Sequence, residues 1–304
     1  MIDGVNRLAS FWHGGPLSGL ELACLASFVR QGYEVTVYSY DKLKSLPEGV
    51  REGDARTIVD IKYLHSFLVL GKPSLAHFSD LFRYRLFEAT GEAWIDADLL
   101  CLRRFEVPET GNFFGKETAS SINNAIMRVD PRDPRLKSLI NGAMAFATGK
   151  DSIYGSTGPA LVTKIFGHSA VDQAQPLERF YPIHWNQWWQ VFLPERYDWC
   201  VAECKNTDAL HLWNSIVERA GYWKDLAPPE GSFLHRCMQD QGLLEYFIET
   251  CPASVIRRLA DADVNLKTGA HYQLKELGIM TFERAISVAG KVFRRAPTEK
   301  KRAA

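Results

Sequence analysis

The first forty residues constrain the fold more than any other stretch of the chain. Arg7 to Trp12 is short and apolar, and Gly14-Gly15-Pro16 behind it is turn chemistry. Ser18 then precedes Leu20, Ala23, Cys24, Ser27 and Phe28 at helical spacing, with Gly32 placed to stop the helix. Glu34 to Tyr40 (EVTVYSY) follows as a β-branched and aromatic strand. Strand, helix and strand at this spacing predict a parallel sheet joined by right-handed crossovers.

Downstream, Ser74 is placed to cap a helix over 74–89, in which Leu75, Phe78, Phe82, Leu86 and Ala89 share a face and Gly91 closes the end. Ala93 to Leu100 (AWIDADLL) reads as one short strand, 112–116 and 121–129 as two more, and 134–147 as a helix. Beyond residue 150 the pattern loosens into YGSTGP, PIHWNQWW and a loop around Pro228 to Ser232. YGSTGP lacks the lysine and spacing of a phosphate-binding loop, and reads as a turn opening a helix over Ala160 to Phe166. The expectation is one α/β domain over 1–280, followed by a basic tail at 281–304. Within it, about 1–150 forms one half and about 151–280 an irregular, partly helical second half.

Charge narrows the partners. Lys and Arg number 36 and so do Asp and Glu, so the chain lacks the concentrated positive excess that nucleic-acid phosphates demand. Six cysteines are too sparse for a disulfide scaffold. Cys200 and Cys204, with His211 nearby, lack the second short-spaced pair of a structural zinc site and are expected as free thiols. No basic segment leading into an apolar core opens the chain, and Tyr63 to Leu70 is far below the ~20 residues of a membrane span. A cytoplasmic protein is expected, resting on the inner face of a membrane if the tail engages one.

The chemistry concentrates in Asp96-Ala97-Asp98. In an extended segment these carboxylates project to one side from a strand end, where they repel unless a cation lies between them. Mn²⁺ or Mg²⁺ suits such oxygen ligands and bridges to a diphosphate. The same tripeptide recurs as Asp261-Ala262-Asp263, without the apolar lead-in of Ala93-Trp94-Ile95. It is read there as a helix end with no chemistry.

The run FSDLFRYRLFEATGEAWIDADLL, Phe78 to Leu100, resembles the sugar-binding region of DXD-containing glycosyltransferases of family 32, and more remotely the glucosylating domains of large bacterial toxins. It departs from the usual pattern at Gly91-Glu92, where two glycines are common. The blocks FWHGG with ELACLASFVRQGYEVTVYSYD, then NNAIMRVD, YGSTGP and HLWNS, follow in the same order, so the resemblance spans roughly residues 8–216. It implies a GT-A fold: a Rossmann-like mixed sheet with flanking helices. It also implies a UDP- or GDP-sugar donor, a divalent metal, retention of anomeric configuration, and an acceptor hydroxyl on a saccharide or lipid-linked glycan in surface polysaccharide or glycan synthesis. The transferred group would be a hexose or an N-acetylhexosamine.

By that resemblance Asp80 and Arg83 hydrogen-bond the donor sugar. The plain alternative is a surface ion pair one helical turn apart. Trp12 is placed to stack on the base or fill the core, and Asn124 to reach donor or acceptor or serve as a turn amide. His211, Asn214 or Ser215 would return a second metal ligand, and Trp213 would cover the donor. Trp185, Trp188 and Trp189 line the acceptor side or fill core. The end, 282–302, holds seven Lys/Arg against two Glu, as an amphipathic membrane contact or as a solvated tail. Two other functions fit a similar sheet. A sugar nucleotidyltransferase normally places a basic glycine-rich loop after its first strand, whereas HGGPLSG has no Lys or Arg. A non-catalytic sugar-binding module would have no need to keep Asp80, Arg83, Asp96 and Asp98 together.

Overall fold

The computed structural model describes residues 6–268 apart from Gly149 and Asp151, with side chains as far as Asn265. The basic end at 282–302, expected to meet a membrane, lies outside the described residues. In chain order the strands and helices begin with β1 (Arg7–Phe11), α1 (Gly19–Arg30), β2 (Glu34–Ser39) and β3 (Val50–Asp54). A short hairpin, β4 (Leu68–Val69) and β5 (Lys72–Pro73), leads into α2 (Leu75–Thr90), β6 (Ala93–Ile95) and β7 (Leu99–Cys101). Next come β8 (Phe113–Thr118), β9 (Ser121–Arg128), α3 (Arg135–Met144) and α4 (Pro159–Gln173). The last third holds α5 (Tyr197–Glu203), β10 (Ala209–His211), α6 (Asn214–Ala220), β11 (Leu226–Ala227), α7 (Phe233–Asp240), β12 (Glu249–Thr250) and α8 (Ala253–Thr268).

The main sheet runs β3-β2-β1-β6-β9-β8. The pairs β2–β3, β1–β2 and β1–β6 are parallel, while β6–β9 and β8–β9 are antiparallel. The sheet is therefore mixed, with helices packed on it and a more irregular C-terminal third, as expected. From β1 the chain steps to β2 and β3 on one side, then returns through α2 to β6 on the other. That reversal opens a crevice at the carboxyl ends of β1 and β6, where open α/β sheets hold ligands.

Alternation along each strand divides the core into two layers. Leu8, Val35, Val37, Ala93, Ile95 and Ile126 face α1 through Leu25 and Phe28. Ala9, Phe11, Trp94 and Met127 face the aromatic side of α2, where Phe78 and Phe82 are fully buried. A third cluster joins Leu20, Ala23 and Cys24 of α1 to Leu100, Trp188, Phe192 and the helices of the last third.

Local chemistry fixes the helix ends. Ser18 donates from its backbone and its hydroxyl to Glu21, closing the start of α1. Ser74 accepts from the amide of His77, and Gly91 in the left-handed region (φ 68°) terminates α2. The helix expected over Ala160 to Phe166 continues to Gln173, with a break at Gly167 (φ 73°, ψ −178°). The strand expected over Ala93 to Leu100 divides: β6 stays in the main sheet, while β7 leaves it to pair antiparallel with β10. Asp261-Ala262-Asp263 lies within α8 rather than at its end, and Asp263 accepts from Trp188 Nε1 at 3.3 Å. Residues i and i+2 of a helix point apart, so that tripeptide never forms a carboxylate pair.

Gly19 marks where the last third closes on α1. A Cβ there would sit 2.6 Å from the carbonyl oxygen of Tyr246 and 2.9 Å from the Phe247 ring. Gly19→Ala is expected to cost about 1–3 kcal/mol by overpacking, read from urea unfolding. An unchanged midpoint would mean that the 244–247 segment is not held against α1.

Candidate active site

The Asp96-Ala97-Asp98 segment is a turn, not extended strand: the amide of Leu99 donates to the carbonyl of Asp96 at 3.3 Å. The carboxylates converge because the chain bends out of the sheet, not because alternation aims them. The amide of Asp96 donates to the Ala125 carbonyl at 2.7 Å, pinning the start of the turn to β9. Its far end is pinned by β10, which sets His211 directly opposite Leu99. One ligand atom each from Asp96, Asp98 and His211 lie within 4.8 Å of one another. His211 Nε2 is 3.4 Å from Asp98 Oδ1, and its Nδ1 is buried without a partner.

Trp213 makes this possible by breaking a backbone rule. It adopts the left-handed conformation (φ 55°, ψ 50°), uncommon for a bulky residue. The flanking amides then both reach Asp98: Leu212 donates to its carbonyl at 3.0 Å and Asn214 to Oδ2 at 2.7 Å. The indole donates to the Ile183 carbonyl at 2.8 Å and packs edge-on against His211, with centroids 4.2 Å apart.

Asp80 and Arg83 correct the surface-pair alternative. They are 7% and 4% exposed, so their 3.4 Å contact is no solvated pair. Arg83 also reaches Asp96 at 3.2 Å, donates to the Asn124 carbonyl, and lies 4.6 Å over the Trp94 ring. Asp80 accepts from the Asn124 amide and from the Thr157 hydroxyl, each at 2.7 Å. Asp80 and Arg83 lie on α2 away from the Phe78 and Phe82 face, and β9 and the 156–158 turn cover that side as well.

Charge states follow. Crowding by protein pushes Asp96 up to about 6, against the pull of Arg83 and with the repulsion of Asp98. For Asp98 burial also raises the pKa, but the facing His211 and the Asn214 amide outweigh it and hold the carboxylate below its usual range. Burial opposes charging His211, yet Asp98 lifts its pKa. The two carboxylates therefore differ because Asp98 has the imidazole and an amide as partners, while Asp96 has Arg83 against its burial and the repulsion of Asp98.

These groups line one cavity of about 1700 Å³. Trp12, half-buried with its indole donating to Gly15, borders it, as do Asn124, Trp213 and Ser215. Trp185 borders it too, whereas Trp188 is core. Cys200 and Cys204 are buried in the third cluster as free thiols, away from the carboxylates that His211 joins.

Four lining or supporting groups escaped the sequence. Glu21 is fully buried, pairs with Lys224 and accepts from the Asn214 carboxamide at 2.8 Å. Asn214 is thereby tied to Glu21 and Asp98, while Ser215 borders the cavity one residue into α6. Glu117 is pushed upward by burial at the cavity wall. Thr157 stood in a block noticed for its glycines, and its only signal was a hydroxyl beside Gly-Pro. The partners of Glu21 and Lys224 lie 203 residues apart, beyond any local pattern.

The family model described as the alpha 1,4-glycosyltransferase conserved region matches residues 145–239, a stretch that includes the 156–158 turn and β10. The chain is also 29% identical over 152 residues to lactosylceramide 4-alpha-galactosyltransferase of Rattus norvegicus; the match covers 45% of this chain and 40% of that protein's length. Among solved structures, the PaToxG glycosyltransferase aligns over 54% of this chain and 69% of its own, at 16% identity and a TM-score of 0.42.

Thr157→Val is expected to destabilise the protein by about 1–3 kcal/mol, because the buried Asp80 carboxylate loses a donor that the isosteric methyl cannot replace. Denaturant titration of the two proteins checks it. A difference near zero would show that Asp80 is not held from that side.

Proposed function

We propose that this protein is a metal-dependent glycosyltransferase of the GT-A kind, moving a hexose from a UDP- or GDP-sugar to a saccharide hydroxyl of a glycolipid or related glycan. The observation that carries the proposal is the convergence of Asp96, Asp98 and His211 at the switch point of the sheet, beside the buried Asp80–Arg83 pair. The matched conserved region supports the class of reaction. The relative's name pairs a galactosyl group with lactosylceramide, which makes galactose the first sugar to test and a glycolipid the first acceptor.

Two carboxylates and an imidazole suit Mn²⁺ or Mg²⁺, and one ligand atom from each lies within 4.8 Å of the others. Asp96, Asp98 and His211 would hold it, with Ser215 available from the first turn of α6. When bound, the ion neutralises charge on the departing diphosphate. Trp12 offers a flat face to the base at the end of β1. Asp80 and Arg83 are fixed by Thr157, Asn124 and Asp96, so they meet sugar hydroxyls without first being ordered. Trp213, on the opposite wall, covers the donor and limits water. In the reaction the bond from the anomeric carbon to the diphosphate oxygen breaks and the acceptor oxygen bonds that carbon. The acceptor's hydroxyl proton passes to the released diphosphate. Both oxygens of Asp80 are engaged by Asn124 and Thr157, which favours a positioning role for it over a nucleophilic one, and the route proposed is attack on the same face as departure, with retained configuration.

Asp98→Ala and Asp96→Ala are each expected to lower sugar transfer or donor hydrolysis roughly 100- to 1,000-fold, the loss of several kcal/mol of leaving-group stabilisation. The wild-type protein should gain thermal stability from Mn²⁺ and UDP-sugar together, by about 2.7 kcal/mol at a hundred times the dissociation constant. Asp98→Ala should lose that gain. Donor binding without turnover would leave a non-catalytic sugar-binding module, and an inverted product seen by NMR would remove the same-face route.

A further inference from the structure

The hairpin beside the cavity mouth breaks two local rules at once. Val69 pairs with Lys72, so Leu70 and Gly71 form the entire loop. Both have positive φ, 51° and 70°, the type I′ turn that joins antiparallel strands. Its first position strongly favours Asn, Asp or Gly, and leucine there carries backbone strain. Leu70 is also 87% exposed. Neither folding nor solvation explains a leucine in this place.

It is not alone. Ser152 donates from its amide and its hydroxyl to the Leu68 carbonyl, which seats the 152–154 segment against the hairpin. Ile153 is 83% and Tyr154 63% exposed there. His77, in the first turn of α2, contacts the Ile153 carbonyl at 3.1 Å and packs edge-on to Tyr154. Leu75, Ile153 and Tyr154 also line the cavity, so the exposed apolar ridge is continuous with its mouth. Lys72, exposed, pairs with Val69 across the hairpin next to Leu70, and Lys150, also exposed, stands two residues before Ser152 in the chain. Clustered exposed apolar side chains mark an interaction surface, and flanking lysines suit an anionic lipid headgroup layer.

We propose that Leu70, Ile153 and Tyr154 dip into the surface of an anionic bilayer, with Lys72 and Lys150 resting on its headgroups. The cavity then opens onto the plane in which the saccharide of a membrane-held acceptor stands. The docking surface rests on the glycosyltransferase reading only for the identity of that acceptor. It also differs from a contact made by the basic end at 282–302, because here the apolar ridge supplies the insertion.

The test is flotation of the full chain with phosphatidylcholine vesicles, with and without phosphatidylglycerol, alongside donor hydrolysis in vesicle-free solution. Leu70→Asn is the decisive variant, since asparagine suits the turn better than leucine. It should melt no lower than wild type and hydrolyse donor equally, yet bind anionic vesicles about tenfold or more weakly, as loss of one inserted leucine implies. Lys72→Glu should weaken binding to the anionic vesicles alone. Wild type that fails to float, or Leu70→Asn that floats as well as wild type, overturns the proposal. Flotation by wild type that turns over no donor would leave the surface standing and remove the enzyme reading instead.

Discussion

Charge compensation at the exit of β6 organises the rest of the molecule. Asp96 and Asp98 sit on a turn that leaves the sheet, crowded by protein on both sides. Arg83 reaches Asp96 from α2, while His211 and the Asn214 amide reach Asp98 from the last third. Remove either set and one carboxylate loses the partner that offsets its burial. The need to place a guanidinium on one side and an imidazole on the other sets where α2 and β10 must lie. The switch between β1 and β6 supplies the opening between them.

Elements with a strong local signal were legible. The strand–helix–strand opening and α2 follow apolar period and capping closely, because burial of one face decides them. The turn at Asp96 was not, since AWIDADLL is apolar enough to pass for one strand. It divides only because β7 finds a partner in β10, more than a hundred residues later. The convergence of Asp96 and Asp98 was thus anticipated from an extended geometry that the segment does not adopt. The recurrence at Asp261 and Asp263 shows how little the tripeptide says alone: in a helix the same residues diverge.

Arg83 and Asp80 make the complementary point. On a helical wheel they occupy the polar side, and a wheel cannot reveal that a second layer covers it. β9 and the 156–158 turn supply that layer, with Asn124 and Thr157 as partners. Polar residues on a helix read as surface until the partner is known. Here burial converts a weak surface pair into a fixed network in which every member constrains the next. Glu21 was hidden for a related reason: one of its oxygens closes the start of α1, while the other ties Lys224 and Asn214, about two hundred residues away, to that helix.

The two walls of the cavity are held by different physics. Asp80, Arg83 and Asn124 stand on a long helix and a central strand backed by fully buried aromatic rings, so their placement inherits the rigidity of a packed core. His211, Trp213 and Asn214 stand on a three-residue strand and a seven-residue helix. Their ties to the first wall combine the β7–β10 pairing and the apolar cluster around Leu210, Leu212 and Val217 with polar links through Asp98 and Glu21 that depend on charge state. Short elements open at lower free energy than long core strands. A cation shared by Asp96, Asp98 and His211 would bridge the rigid wall to the lightly held one. Binding and ordering would then be one event, at the wall where Trp213 already carries backbone strain to bring its flanking amides onto Asp98.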